Sequence, residues 1–136
     1  MNKKIYDDIL KFEPYDAKEA LDKEVMLSFI EKNDDVFVRD NKIAHMTTSG
    51  WITNKDRNKI LMIYHNIYDS WAWVGGHADG DEDLMHVVRK EIEEETGISD
   101  VKFLSDEIFG LNIVNYCLIQ NDLNKLSQMN GTQVNA

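Results

Sequence analysis

The segment from Asp83 to Gly97 constrains this chain more than any other. At roughly 100° per residue, Leu84, Val87 and Val88 define one side of a helix running from about Asp83 to Thr96. Glu91, Glu94 and Glu95 continue along that same side one to two turns further on, while His86, Arg89 and Glu93 point away. A solvated acidic face would lie opposite the apolar stripe; here the stripe runs into three carboxylates. Like charges three and four residues apart destabilise a helix by a few tenths of a kcal/mol per pair, and burial against a sheet adds to that. Lys90 lies beside Glu94 and offsets one charge of the three. Clustered hard oxygen ligands suit Mg²⁺, which binds protein through a few carboxylates while substrate phosphates complete its shell. The alternative at this point is a glutamate run that serves only solubility.

The flanks of this helix bear on the same question. Gly75-Gly76 follows a strand-like Trp71-Ala72-Trp73-Val74, so the backbone there can turn tightly and its carbonyls can approach a ligand. Asp79 or Asp81 is the expected N-cap. Gly97 is the expected left-handed C-terminal stop. Eight of the 25 acidic residues fall between Asp79 and Glu95. The formal charge of −10 removes the electrostatic footprint of a nucleic-acid binder but admits a small anionic substrate once a cation neutralises its approach.

Elsewhere the pattern is that of one domain. With 136 residues and 43% apolar content, the chain matches a single core. No apolar run reaches membrane-spanning length, and no apolar segment follows Lys3-Lys4, so neither a signal peptide nor a membrane association is expected. The single cysteine, Cys117, lies in an apolar run and reads as a buried thiol, consistent with a reducing cytoplasm.

Residues 16–30 read as a helix with Leu21, Val25, Ser28 and Phe29 on its packed face. Val36 to Arg39 reads as a helical turn or a strand. Strands are expected from Thr47, through a hairpin about Asn54–Asn58 into a largely buried Lys59–His65. Another covers Trp71–Val74 and is broken by Gly75-Gly76, and further strands cover Val101–Leu104 and Phe109–Ile119. Residues 121–136 read as a short or truncated tail: Leu123, Leu126 and Met129 suggest a brief amphipathic helix, and Asn130 onward a frayed end. Trp51, Trp71 and Trp73 read as core before they read as stacking platforms. The four histidines lack zinc spacing, and no EF-hand loop is present.

The segment Gly76–Ile98 resembles the Nudix box, G-x5-E-x7-R-E-U-x-E-E-x-G-U, with U a bulky aliphatic residue. Gly76, Glu82, Glu91, Ile92, Glu94, Glu95, Gly97 and Ile98 are in register, and Lys90 stands where the box has arginine. The resemblance implies an α+β fold, a Nudix-type α/β/α sandwich with a mixed sheet, spanning residues 1–136 as one domain with its loop and helix at 75–98.

It also implies Mg²⁺-dependent (or Mn²⁺-dependent) hydrolysis of a small nucleoside diphosphate derivative by in-line attack of water. Glu82, Glu91, Glu94, Glu95 and the Gly75 carbonyl are the implied metal ligands. Glu91 is the first choice of base, and Gly76 and His77 are candidate substrate contacts. Glu93 is dispensable by position. The family arginine orders the glutamates through a planar fork that lysine lacks, so Lys90 is a weaker organiser, and Arg89 could help only if the helix were distorted. Tyr116 occupies a region where a tyrosine accompanies dinucleoside polyphosphate cleavage in the family, although packing in its strand is an equal reading. Only 38 residues follow Ile98, and none offers an obvious further glutamate, since Glu107 comes too early. The alternative is a nucleotide-binding sensor with little turnover. A homodimer is an admissible assembly for either.

Overall fold

Fifteen apolar side chains form the described core, and fourteen of them fall into two clusters, one of eleven residues and one of three. The computed structural model describes residues 1–66, 69–116 and 131–135. Helix α1 spans Lys3–Lys11 and α2 spans Ala17–Lys32; α3 spans Leu84–Thr96. Strands β1 (Ala44–Gly50), β6 (Val74–His77), β7 (Asn112–Tyr116) and β8 (Gly131–Asn135) form a four-stranded sheet in the order β6-β1-β8-β7. The β1–β8 pairing is parallel and the other two are antiparallel, so the sheet is mixed. Two small ladders accompany it: β2 (Ile52–Thr53) with β3 (Ile60–Leu61), and β4 (Ile63–His65) with β5 (Ser70–Ala72). The fold is α+β. Among the described residues no helix is long and apolar enough to cross a membrane.

The first cluster joins Ile5 and Ile9 of α1, Met26 and Ile30 of α2, and Ala44 and Met46 of β1. Asn2 caps α1 by accepting from the Ile5 N–H, and Asp16 caps α2 through Glu19. Helix α1 had no counterpart in the expectations, although Ile5, Tyr6, Ile9 and Leu10 recur at helical spacing. In α2 the packed face differs from the one expected. Asp22, Met26 and Ile30 are buried, whereas Leu21 and Val25 are exposed. The charged residues are what turn the helix: the Asp22 carboxylate accepts from the Ile113 N–H at 3.1 Å and from Lys18 at 2.6 Å, and Glu19 accepts from the Leu111 N–H. Backbone donors at the start of β7 thus draw the polar side of α2 inward.

The second cluster lies beneath α3, where Val88 and Ile92 meet Val74, with Ile52, Leu61, Ile63, Val101 and Phe103 around them. A Cβ on Gly50 would stand 2.8 Å from Val88, so β1 and α3 approach closely where a side chain is missing.

Several other expectations are corrected. Of the two forms expected for Val36–Arg39 the turn is the one observed, whereas β1 begins at Ala44 rather than Thr47. The segment Lys59–His65 divides into β3 and β4, with Ile60, Met62 and Tyr64 exposed, since one side of each two-stranded ladder stays uncovered. Gly75 and Gly76 do not break a strand but lie within β6. Residues 101–104 form no strand; the Val101 carbonyl accepts from Arg89 instead of a neighbouring strand. The expected strand from Phe109 begins at Asn112. Residues 131–135, expected as a frayed end, form β8 between β1 and β7. The expected packing of Cys117 and of Leu123, Leu126 and Met129 falls outside the described residues.

Candidate active site

Helix α3 starts at Asp83, whose Oδ1 accepts from the Met85 and His86 N–H groups at 3.1 and 3.2 Å. The cap is therefore neither Asp79 nor Asp81, the residues expected to serve. Asp81 is held by His86 at 2.6 Å, which keeps its carboxyl below the usual carboxylate range. Asp79 and Gly80 both take positive φ, 50° and 92°, in a turn closed by the Asp81 N–H on the Ala78 carbonyl. Glycine takes such angles without a steric penalty. Gly97 ends the helix at φ 74°, with its N–H on the Glu93 carbonyl, as expected.

Val87, Val88 and Ile92 are buried on α3, and Glu91 lies half-buried on the same side. Its carboxylate rests directly on Gly76. A Cβ at that glycine would fall 2.3 Å from Glu91 Cδ and 2.6 Å from both oxygens, so the strand accommodates this carboxylate only because residue 76 has no side chain. Burial raises the Glu91 carboxyl above its ordinary value, and the charges of Glu94 and Glu95 raise it further. Burial also raises Glu95, against the opposing effect of the Gly75 N–H, which donates to it. Lys90 faces Glu94 at 3.8 Å, the i,i+4 partner expected from the wheel.

Arg89 takes no part. It donates to the Val101 carbonyl at 3.0 Å and lies over the Phe103 ring at 4.6 Å, while the helix stays regular. Three of the helix's four glutamates, Glu91, Glu94 and Glu95, thus have a single lysine set against them.

The remaining candidates are dispersed. Glu82 lines an open depression with Met1–Lys4 and Asp34 near the chain start. His77 follows Gly76 in β6, so strand alternation turns it to the face away from α3. There it packs against His45, ring centroids 5.1 Å apart. Burial first, then Arg39, lowers the His77 pKa. His86 is exposed, as expected. Among the described residues no three His, Cys, Asp or Glu side chains converge closely enough to hold a metal ion together. The donor chemistry nevertheless fits a hard divalent cation: partly desolvated, mutually repelling carboxylates are stabilised by the charge they lack.

One charged group went unnoticed in the sequence. Arg39 makes a two-pronged pair with Asp79, Nε to Oδ1 at 2.6 Å and a terminal nitrogen to Oδ2 at 2.5 Å. Its charge is felt by Glu91, His45 and His77. The pairing holds Asp79 well below the usual carboxylate range. Forty residues separate the partners, and no sequence pattern signals such a pair.

The family model for the NUDIX domain matches residues 44–124, more than half of the chain. The protein belongs to the Nudix family, whose members are in general hydrolases of phosphoric anhydrides that act on small nucleotides with divalent metals. No curated protein matches the chain.

Proposed function

We propose that this protein is a Mg²⁺-dependent or Mn²⁺-dependent pyrophosphohydrolase that cleaves the diphosphate of a small nucleoside diphosphate derivative by in-line attack of water on phosphorus. The observation that carries this reading is the Glu91 carboxylate seated on Gly76, raised by burial and by Glu94 and Glu95. Glu91, Glu94 and Glu95 would hold the cation, with the Gly75 carbonyl and Glu82 as further ligands. A bound divalent cation supplies neutralisation of charge on the phosphoryl oxygens and leaving group.

The chain's own residues do the rest. Glu91, the half-buried carboxylate at Gly76, takes the proton of the attacking water at a carboxylate oxygen. Lys90 restrains Glu94. Gly76, on the face that seats the Glu91 carboxylate, and His77, on the other face of β6, are the substrate contacts in this reading. Residues 1–136 act as one domain, because α1 and α2 share a core with β1. The single thiol and the acidic surface suit a reducing cytoplasm.

A second reading, a nucleotide sensor with little turnover, draws support from Lys90 in the arginine position and from the engagement of Arg89 elsewhere. One assay separates the two. Wild type and Glu94→Gln are incubated with a panel of nucleoside diphosphate derivatives and Mg²⁺ or Mn²⁺. The expected result is metal-dependent product from wild type and a loss of about 100-fold or more in the variant, on the scale of removing a group that stabilises transition-state charge. Saturable nucleotide binding by wild type with no product would establish the sensor.

A further inference from the structure

The ladder between β1 and β6 ends with Gly50 opposite Val74. One step further, the same antiparallel register sets Trp51 opposite Trp73. Val74 is buried beneath α3, so strand alternation turns both indoles to the other face of the sheet. There they stack, with centroids 5.9 Å apart and planes 24° from parallel, and Phe109 meets Trp51 edge-on at 6.2 Å. The expectation that these tryptophans belong to the core is corrected, because Trp51, Trp73 and Phe109 are 51%, 45% and 61% exposed. Three touching aromatic rings left half in water are a surface that stability alone does not require, and contiguous exposed apolar surface marks binding sites.

Its position indicates what binds. Trp73 lies two residues before Gly75, whose N–H meets Glu95, and three before Gly76, on which Glu91 rests. Among the described residues, strand β6 is an edge of the sheet. The rings and the carboxylates therefore occupy the two faces of one edge. The protein carries a net charge of −10, which disfavours an anionic group on the rings and leaves the cation-binding carboxylates as the place for phosphate. The rings are left to the neutral, flat end of the same molecule.

We propose that Trp51, Trp73 and Phe109 form a stacking surface for the nucleobase of a substrate whose diphosphate lies at the α3 carboxylates. This rests on the reading of α3 as a nucleoside diphosphate site. Aromatic stacking accepts any base through its π-face, so the surface gives affinity for nucleotides as a class.

The test measures binding of ADP and of inorganic pyrophosphate, each with Mg²⁺, by calorimetry on the full chain. Trp51→Ala and Trp73→Ala are each expected to weaken ADP about 10-fold, in the range found for removing one stacking ring, and to leave pyrophosphate unchanged. Trp51→Phe and Trp73→Phe, which keep a flat ring and the cross-strand contact, are expected to retain most of the ADP affinity. ADP affinity within twofold of wild type in both alanine variants would overturn the proposal. So would an equal loss for pyrophosphate, which would make the rings a support for the fold. Loss of self-association in sedimentation, with ADP binding intact, would assign the surface to a second copy of the chain and equally overturn it. If wild type turns over no nucleotide but the alanine variants still lose ADP selectively, the catalytic reading fails and the stacking surface stands.

Discussion

Helices α2 and α3 each run a buried apolar stripe into carboxylates, with opposite consequences. In α2 the stripe is Asp22, Met26 and Ile30. Asp22, only 8% exposed, meets the Ile113 N–H and Lys18, so its burial is compensated by hydrogen bonds. In α3 the stripe continues from Val88 and Ile92 to Glu91 and Glu95. Glu91 meets a glycine without a side chain and two further glutamates, and its carboxyl is pushed upward. A carboxylate whose burial is compensated by donors, as that of Asp22 is, serves the fold; one raised by burial and by neighbouring like charges, as that of Glu91 is, is the candidate for chemistry.

That contrast can be broken most forcefully at α2. Asp22→Ala leaves a partly buried backbone N–H at residue 113 without its acceptor. It is expected to cost about 1–3 kcal/mol, read as a lower urea midpoint, with no change in divalent-cation affinity. A change in cation affinity without loss of stability would reverse the roles assigned to the two helices.

A smaller effect is expected at Lys90→Arg. A planar fork restrains carboxylates better than a single ammonium, so Mn²⁺ affinity, followed by electron paramagnetic resonance, should rise a few-fold. Unchanged or weaker binding would show that the lysine already organises Glu94 fully.

The smallest effect concerns pH. Glu91 and Glu95 are raised in the folded state above the ordinary value of about 4.5. The metal-free protein therefore loses stability as pH rises from that value through the folded-state values, and the loss persists at neutral pH. Asp79, which Arg39 depresses, acts in the opposite sense: its contribution is present above its unfolded value and disappears as pH falls through its folded one. Glu91→Gln should raise the Tm of metal-free protein by about 1–3 °C at pH 7, a modest value because the group is only half-buried. The gain should vanish near pH 4. Addition of Mg²⁺ should raise the Tm of wild type more than that of the variant. A variant less stable than wild type at pH 7 would mean that Glu91 is held by favourable contacts, as Asp22 is.

Local rules made part of this molecule legible before any coordinates. The extent of α3, its stop at Gly97, the side occupied by Glu91 and the Lys90–Glu94 pair all follow from a 3.6-residue period and short-range capping, which depend on neighbours a few residues away. Helical spacing likewise names Glu91, Glu94 and Glu95, while Glu82 is named only by the resemblance to the Nudix box and lies in a depression with Met1–Lys4 and Asp34.

Long-range features were beyond that reach. The packed face of α2 was misread because its partners, Leu111 and Ile113, lie some ninety residues away. Strand β8 has no hydrophobic alternation to announce it and gains its place by pairing with both β1 and β7. The seating of Glu91 on Gly76, the Arg39–Asp79 clamp and the stacked Trp51–Trp73 pair all join segments that only sheet register and helix docking bring together. By itself, the sequence determined a regular helix with its acids on the packed side. Only the tertiary structure decided what those acids face, because a carboxylate's energy depends on the donors, charges and solvent around it.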